Sequence, residues 1–522
     1  MADIEKFKQA IASGYDCKGD YIVLGAAMLD GAPVENALVK VPLKTLNRHG
    51  LIAGATGTGK TKTLQGLAEQ LSDKGISVLV MDIKGDFSGI AMPGTNNPKI
   101  EERQNKIGIA WEGKGSPVEF LTLSKENGAR LRATVSEFGP VLFSKILGLN
   151  DTQEGVVSIV FKYSDDNNLP LLDLKDFKKV MNYTTGEGKK EIEENYGKVS
   201  TATTSTILRK IIELEQQGAE IFFGEKSFEV DDLVRLDDNG KGIVSILRLT
   251  DIQDKPKLFS TFMLSMLAEI YSSFPEEGDA DQPKLVIFID EAHLIFEEAS
   301  KALLDQIETI VKLIRSKGVG IFFCTQNPTD IPDDVLAQLG LKVQHALRAF
   351  TAKDRKQIKL TAENYPLSDF YDTETLITSL GMGEALVTVL SEKGNPTPLA
   401  ATLLQAPRSR MDILTPQEIE TINANSYLVK KYNEVIDRES AFEILSGKLK
   451  ASSQPVPGQQ TETVQNTTVQ KPTEEEEPGM LSKGVGAVGD FVKSSTGKII
   501  IREVTRGILG ILGFSSTGRR RK

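Results

Sequence analysis

Three features of the 522-residue chain predict an α/β fold, a mainly parallel sheet flanked by helices. Apolar runs of strand length alternate with amphipathic helical patterns; a glycine-rich loop joins one such strand to its helix; and a later apolar run ends in two acids. Strand–helix–strand succession of this kind implies parallel neighbours, because the helix must carry the chain back before the next strand begins.

Residues 1–45 read as a small N-terminal segment, with YIVLG and ALVKVPL as short strands. Residues 46–124 carry the P-loop half of the core. There LIA (51–53) is a strand, Leu64, Leu67, Ala68 and Leu71 recur at helical spacing, and ISVLVMD (76–82) returns as a buried strand. Residues 125–235 break this rhythm with Lys- and Glu-rich patterns such as KEIEENYGK and STILRKIIELEQQG, which predicts a helical insertion.

The second half of the core, 236–407, resumes with GIVSILRL (242–249), a helix over KLFSTFMLSMLAEIYSSF and the strand KLVIFID (284–290). A helix follows with Leu303, Leu304, Ile307, Ile310, Val311 and Ile314 on one face, then the strand VGIFFC (319–324). KVQHALR (342–348) and EALVTVL (384–390) are two further strands. Residues 408–449 read as C-terminal helices. The Gln-, Thr-, Pro- and Glu-rich stretch 450–480 reads as a disordered linker, since it cannot bury enough apolar area to offset chain entropy. Residues 481–522 form a basic amphipathic tail.

Composition narrows the function classes. The only cysteines are Cys17 and Cys324, and the three histidines, His49, His293 and His345, are scattered, which argues against a disulfide framework or a metal cluster. The N-terminus lacks the apolar core of a signal peptide, and no stretch reaches the roughly 18 apolar residues of a membrane span, so the expected localisation is cytoplasmic. A net charge of -10 argues against a uniformly basic nucleic-acid surface, yet about nine Lys/Arg face two acids from Leu481 onward.

The loop GATGTGKT runs Gly54, Ala55, Thr56, Gly57, Thr58, Gly59, Lys60, Thr61 and matches G-x-x-x-x-G-K-[ST] in full. Glycines let successive backbone N–H groups converge on phosphate oxygens, and the following helix adds the positive end of its dipole. Lys60 is expected to reach the β- and γ-phosphates and the Thr61 hydroxyl to ligate Mg²⁺, with Thr63 two places further along also in the nucleotide-binding segment. In LVIFIDEAH, Asp290 is the expected second Mg²⁺ ligand and Glu291 the group that polarises the attacking water. Ligands collect at the C-terminal ends of parallel strands, which favours this reading over a helix cap. Gln326, after VGIFFC, is the candidate sensor of the γ-phosphate. Arg315, closing the preceding helix, is the candidate arginine finger acting on a neighbouring subunit, with Arg348 as the next choice.

The blocks RHGLIAGATGTGKTKTLQGL, VLVMDIKGDFSG, VIFIDEAHLIF and IRSKGVGIFFCTQNPTDIP occur in this order. Together they resemble the HerA/FtsK group of ring-forming ATPases, and more narrowly the bacterial HerA-like helicase family formerly classed as a domain of unknown function. The resemblance covers roughly residues 20–410. It implies a RecA-like domain assembled as a hexameric homo-oligomer, ATP and Mg²⁺ between subunits, duplex DNA in a central channel, and a nuclease partner. By that likeness Lys60, Thr61, Asp290, Glu291, Gln326 and Arg315 fall on motif positions, and Asp82 matches an acid after the second strand. The segment before the P-loop is shorter than the β-barrel the HerA family carries.

A two-lobed helicase is disfavoured, although DEAH is present, because about 230 residues separate it from the P-loop and no arginine-rich second-lobe motif follows. A GTPase is disfavoured by the absence of N-K-x-D, and GVGAVG (484–489) follows a Glu/Pro linker instead of a strand. Two functions stay open: a DNA-translocating motor, and an ATP-driven assembly switch or protein-handling motor. In the tail, Ile501, Val504, Ile508 and Leu512 share a helical face beside Lys498, Arg502 and Arg506. That pattern suits peripheral membrane contact, docking on another subunit, or a DNA-contacting end.

Overall fold

The computed structural model describes residues 2–452, except 125, 252–254, 279, 297–300, 435 and 437; the expected linker and basic tail lie outside the described residues. The strands among the described residues are β1 (Tyr21–Leu29), β2 (Ala32–Pro42), β3 (Gly50–Ala53), β4 (Ser77–Asp82), β5 (Val118–Thr122) and β6 (Ala129–Arg130), then β7 (Val244–Arg248), β8 (Leu285–Ile289), β9 (Val319–Thr325), β10 (Leu341–His345), β11 (Glu384–Thr388) and β12 (Ala400–Leu404). They form one sheet in the order β2-β1-β12-β11-β10-β3-β9-β8-β4-β7-β5-β6. From β10 to β6 neighbours are parallel; from β10 back to β2 they are antiparallel.

The parallel strands read as unbroken apolar runs because both faces are covered. Leu51, Leu79, Met81, Ile287, Ile289, Ile321 and Phe323 enter one core. Ile52, Val78, Val80, Val286, Phe288, Phe322 and Cys324 enter the other, with Leu64, Leu67, Ala68 and Leu71 of the Lys60–Asp73 helix. Alternation along each strand therefore splits its side chains between two cores.

Between β6 and β7 lie the helices Val135–Ile146, Asp151–Asp166, Leu174–Thr185, Lys189–Asn195 and Thr201–Gln216, packed onto the first core through Phe138, Phe143, Phe161 and Phe177. The N-terminal residues are not a freestanding unit. β1 and β2 make a hairpin that extends the sheet through β12. KVQHALR is strand only to His345; Ala346–Phe350 leave the sheet.

After β12 the chain crosses the P-loop helix as a strap. The Glu69 carboxylate accepts from Arg408 N (2.8 Å) and Ser409 N (2.9 Å), and Gln65 Nε2 donates to Arg410 O (2.9 Å). Among the described residues no helix is long and apolar enough to cross a membrane.

Candidate nucleotide-binding and hydrolytic site

Register places the site. Ala53 pairs with Thr325, Phe323 with Ile289, and Ile289 with Met81, so the C-terminal ends of β3, β9, β8 and β4 meet at one edge. Gly54, Gln326, Asp290 and Asp82 follow or end these strands. The P-loop strand and the acid-bearing strand are not direct neighbours, because β9 lies between them.

Gly54 has φ 151° and packs against β10: an added Cβ would sit 2.5 Å from His345 Cβ. Gly54 N donates to Thr325 O and Ala55 N to Ala346 O (2.9 Å), which fastens the loop to both flanking strands. Gly59, at φ 115°, is the residue before the Lys60–Asp73 helix and brings the backbone close to Gly383, whose N–H donates to Thr58 O (3.0 Å). Only glycine makes this left-handed approach without strain. Thr56 and Gly57 face solvent.

Lys60 is buried, and its Nζ donates to Gly54 O (2.7 Å) and Ala55 O (3.3 Å). Burial, then the charge of Lys84, holds its pKa below the usual lysine range. Thr61 Oγ1 donates to Asp86 Oδ2 (3.3 Å). Thr63 is not brought to the phosphate-facing side: its buried hydroxyl bonds His345 Nε2 (3.0 Å) and braces the helix against β10.

Asp290 is buried, and burial in the first place pushes its carboxyl up to about 6, with Lys84 pulling down and Glu291 adding to the rise. Glu291 is 6% exposed and sits at φ 45°, a left-handed conformation that costs a non-glycine residue roughly 1–3 kcal/mol. This turn takes the chain out of β8 into the short helix His293–Phe296 and fixes where the carboxylate points. Its Oε1 is ion-paired with Lys84 Nζ, and its Oε2 lies 3.2 Å from His293 Nδ1.

The loop after β4 supplies residues that sequence reasoning missed. Asp82 accepts from Gly85 N (2.8 Å) and Phe87 N (3.2 Å), and burial followed by the Asp86 charge pushes it up to about 7. Asp82 thus shapes the loop that presents Lys84 to Glu291 and Asp86 to Thr61. The available signal was DIKGD at the end of a parallel strand, but only the β4–β8 pairing shows what those charges face.

Gln326 is exposed directly after β9, beside Gly54. Asp330 Oδ2 holds the following turn by accepting from Thr325 Oγ1 (2.8 Å) and Asn327 N (3.1 Å). Arg315 is not brought to this edge. It lies in the 3-10 turn Arg315–Lys317 before β9, about 20 Å away by strand rise. There its charge adds to the burial that holds His49 down at about 4. Arg348 is exposed near the P-loop edge and donates to Thr378 O (3.0 Å).

The residues present fit a nucleotide with a hard divalent cation. A loop of left-handed glycines, a helix N-terminus and Lys60 suit phosphates, and Thr61 with Asp290 offers oxygen ligands. Among the described residues no group of three or more His, Cys, Asp or Glu is placed to hold a metal ion. Since a protonated Asp290 cannot ligate, Mg²⁺·ADP affinity is expected to rise from about pH 5 to pH 7 and level off above, by up to tenfold per unit below the carboxyl's pKa. Calorimetric titration checks this. Asp290→Asn should show only the shallower dependence due to the nucleotide's own phosphates; an identical slope would exclude Asp290.

Comparison with known proteins agrees with the motifs. The family described as "Helicase HerA-like C-terminal" matches residues 28–522. The DNA double-strand break repair helicase HerA of Sulfurisphaera tokodaii is 25% identical over 369 residues, covering 69% of this chain and 65% of that protein. The Saccharolobus solfataricus protein of the same name is 24% identical, covering 68% and 64%. The chain therefore spans slightly under two thirds of the length of these relatives. Among solved structures, the bacterial conjugative coupling protein TrwBdeltaN70 superposes with TM-score 0.50 at 15% identity, over 78% of this chain and 94% of that one. TrwB in complex with ADP and Mg²⁺ does so with TM-score 0.50 at 14% identity, with the same coverage. This likeness shows the shared RecA-like P-loop fold, and the match over most of the sequence shows that the chain belongs to the helicase HerA-like C-terminal family.

Proposed function

We propose that the protein is an ATP-hydrolysing motor of the HerA type that assembles as a ring, most economically a hexamer, and acts on duplex DNA. The observation that carries the ATPase reading is the meeting of Lys60, Thr61, Asp290 and Glu291 at one sheet edge. Lys60 neutralises the β- and γ-phosphates, Thr61 and Asp290 hold Mg²⁺, and Glu291 orients the water that attacks the γ-phosphorus. Mg²⁺ held by Thr61 and Asp290 would supply positive charge that offsets the negative charge developing on the phosphates. Gln326 reads the γ-phosphate from the adjoining strand. Arg315 serves the site of the neighbouring subunit, since its own lies across the sheet.

The DNA reading is supported by the HerA relatives, which are DNA double-strand break repair helicases, and by a basic surface near the site. After β10 the helix Ala352–Glu363 exposes Lys353, Arg355, Lys356 and Lys359, with Phe350 88% exposed ahead of it. Gln357 Nε2 reaches Thr329 Oγ1 (3.4 Å) in the turn after Gln326, which links this surface to the sensor strand. A nuclease partner follows only from the family likeness.

Duplex DNA is expected to stimulate ATP turnover, with an apparent affinity that falls steeply with salt as counterions are released. In the Arg355→Ala/Lys356→Ala/Lys359→Ala protein the log–log salt slope should shrink by about 2 to 3. ATPase activity indifferent to DNA at low salt would favour the second reading, an assembly switch or protein-handling motor.

A further inference from the structure

The residues assigned so far leave Lys84 without a role. We propose that Lys84 is a positioning residue that restrains Glu291 and releases it when the terminal phosphate of a nucleoside triphosphate offers Lys84 a stronger partner. The proposal rests on the ATPase reading above and deepens it.

Glu291 Oε1 is ion-paired with Lys84 Nζ, and Oε2 lies 3.2 Å from His293 Nδ1 without a hydrogen bond to it. A carboxylate that polarises water must keep a lone pair directed at that water. Glu291 is buried, and its backbone sits in the left-handed turn at φ 45°. Lys84 can move instead. Its side chain is 37% exposed, against 7% for that of Glu291, and it stands on a loop held independently by the Asp82 carboxylate.

Lys84 also lies within the field of the phosphate-binding groups: its charge acts on Lys60 and on Asp290. A terminal phosphate beside Lys60 adds negative charge within that field and competes with Glu291 for the Lys84 ammonium. A diphosphate, one phosphate shorter, does not reach as far. Lys84 thereby couples the presence of the γ-phosphate to the freeing of the base, and contributes to triphosphate affinity without contributing to diphosphate affinity.

The test uses the full chain with Mg²⁺, and fluorescent ADP and its β,γ-imido triphosphate counterpart as probes. Lys84→Met is expected to weaken triphosphate binding about tenfold or more, the scale of one charge-assisted hydrogen bond, and to leave diphosphate binding within about twofold. Lys84→Arg should retain the triphosphate affinity, because it keeps a mobile cation. Equal loss for both nucleotides, or no loss for the triphosphate, would overturn the proposal. Glu291→Gln supplies a second measurement. It removes the competing charge, so preference for triphosphate over diphosphate should rise several-fold, and that gain should vanish when Lys84→Met is added. An unchanged preference in Glu291→Gln also overturns it. Failure of the unsubstituted protein to bind either nucleotide would instead sink the ATPase reading itself.

Discussion

Glu291→Gln is expected to hold Mg²⁺·ATP while its turnover falls about 10²- to 10⁴-fold, the range over which a positioned general base contributes. The amide matches the carboxylate in shape, so the left-handed turn and the contact with His293 can persist. What it lacks is the charge and basicity needed to draw a proton from water. Asp290, Thr61 and Lys60 are untouched, so binding survives. Loss of a buried charge opposite the partly exposed Lys84 leaves no uncompensated buried cation, so the variant should fold. Steady-state phosphate release paired with nucleotide titration separates the two effects. Phosphate release within about threefold of the unsubstituted protein would remove Glu291 from the chemistry.

The parts of the site that were legible in the sequence are those where one strand and the residues directly after it carry the chemistry. GATGTGKT after LIA, and DE after LVIFI, combine a buried parallel strand with polar groups at its C-terminal end, and both signals are local. What was not legible depends on which strands become neighbours. Chain order does not say that β9 enters between β3 and β8, nor that the first two strands end on the antiparallel flank beside β12. Lys84 and Asp86 gain their roles only because β4 pairs with β8 and lies close to the P-loop helix. The strap over that helix is held by backbone groups of Arg408, Ser409 and Arg410 together with the Arg408 and Ser409 side chains, and their partners Glu69, Asp73 and Gln65 lie more than 300 residues away in the chain. Thr63 is close in sequence to the phosphate loop, but helical rotation turns its hydroxyl toward His345.

Arg315→Ala is expected to lower turnover about 10³- to 10⁵-fold, the contribution of an arginine finger, while leaving nucleotide affinity within a few-fold. The geometry makes this a statement about assembly. Arg315 precedes β9 at the edge opposite the P-loop, roughly 20 Å from Gln326, and its side chain is exposed. It cannot touch a phosphate bound to its own chain, but a subunit packed head-to-tail against that edge would present its P-loop there. Mixing decides between this and a local structural role near His49. A Lys60→Ala subunit has a dead P-loop and an intact Arg315; an Arg315→Ala subunit has the reverse. In an equimolar mixed ring about a quarter of interfaces join an intact P-loop to an intact arginine, so the mixture should recover activity that neither variant shows alone. Arg315→Lys should recover little, because a point charge does not replace the planar guanidinium fork. Absence of recovery on mixing, with subunit exchange verified, would assign Arg315 to the stability of its own chain and pass the finger role to Arg348, which stands exposed near the P-loop edge.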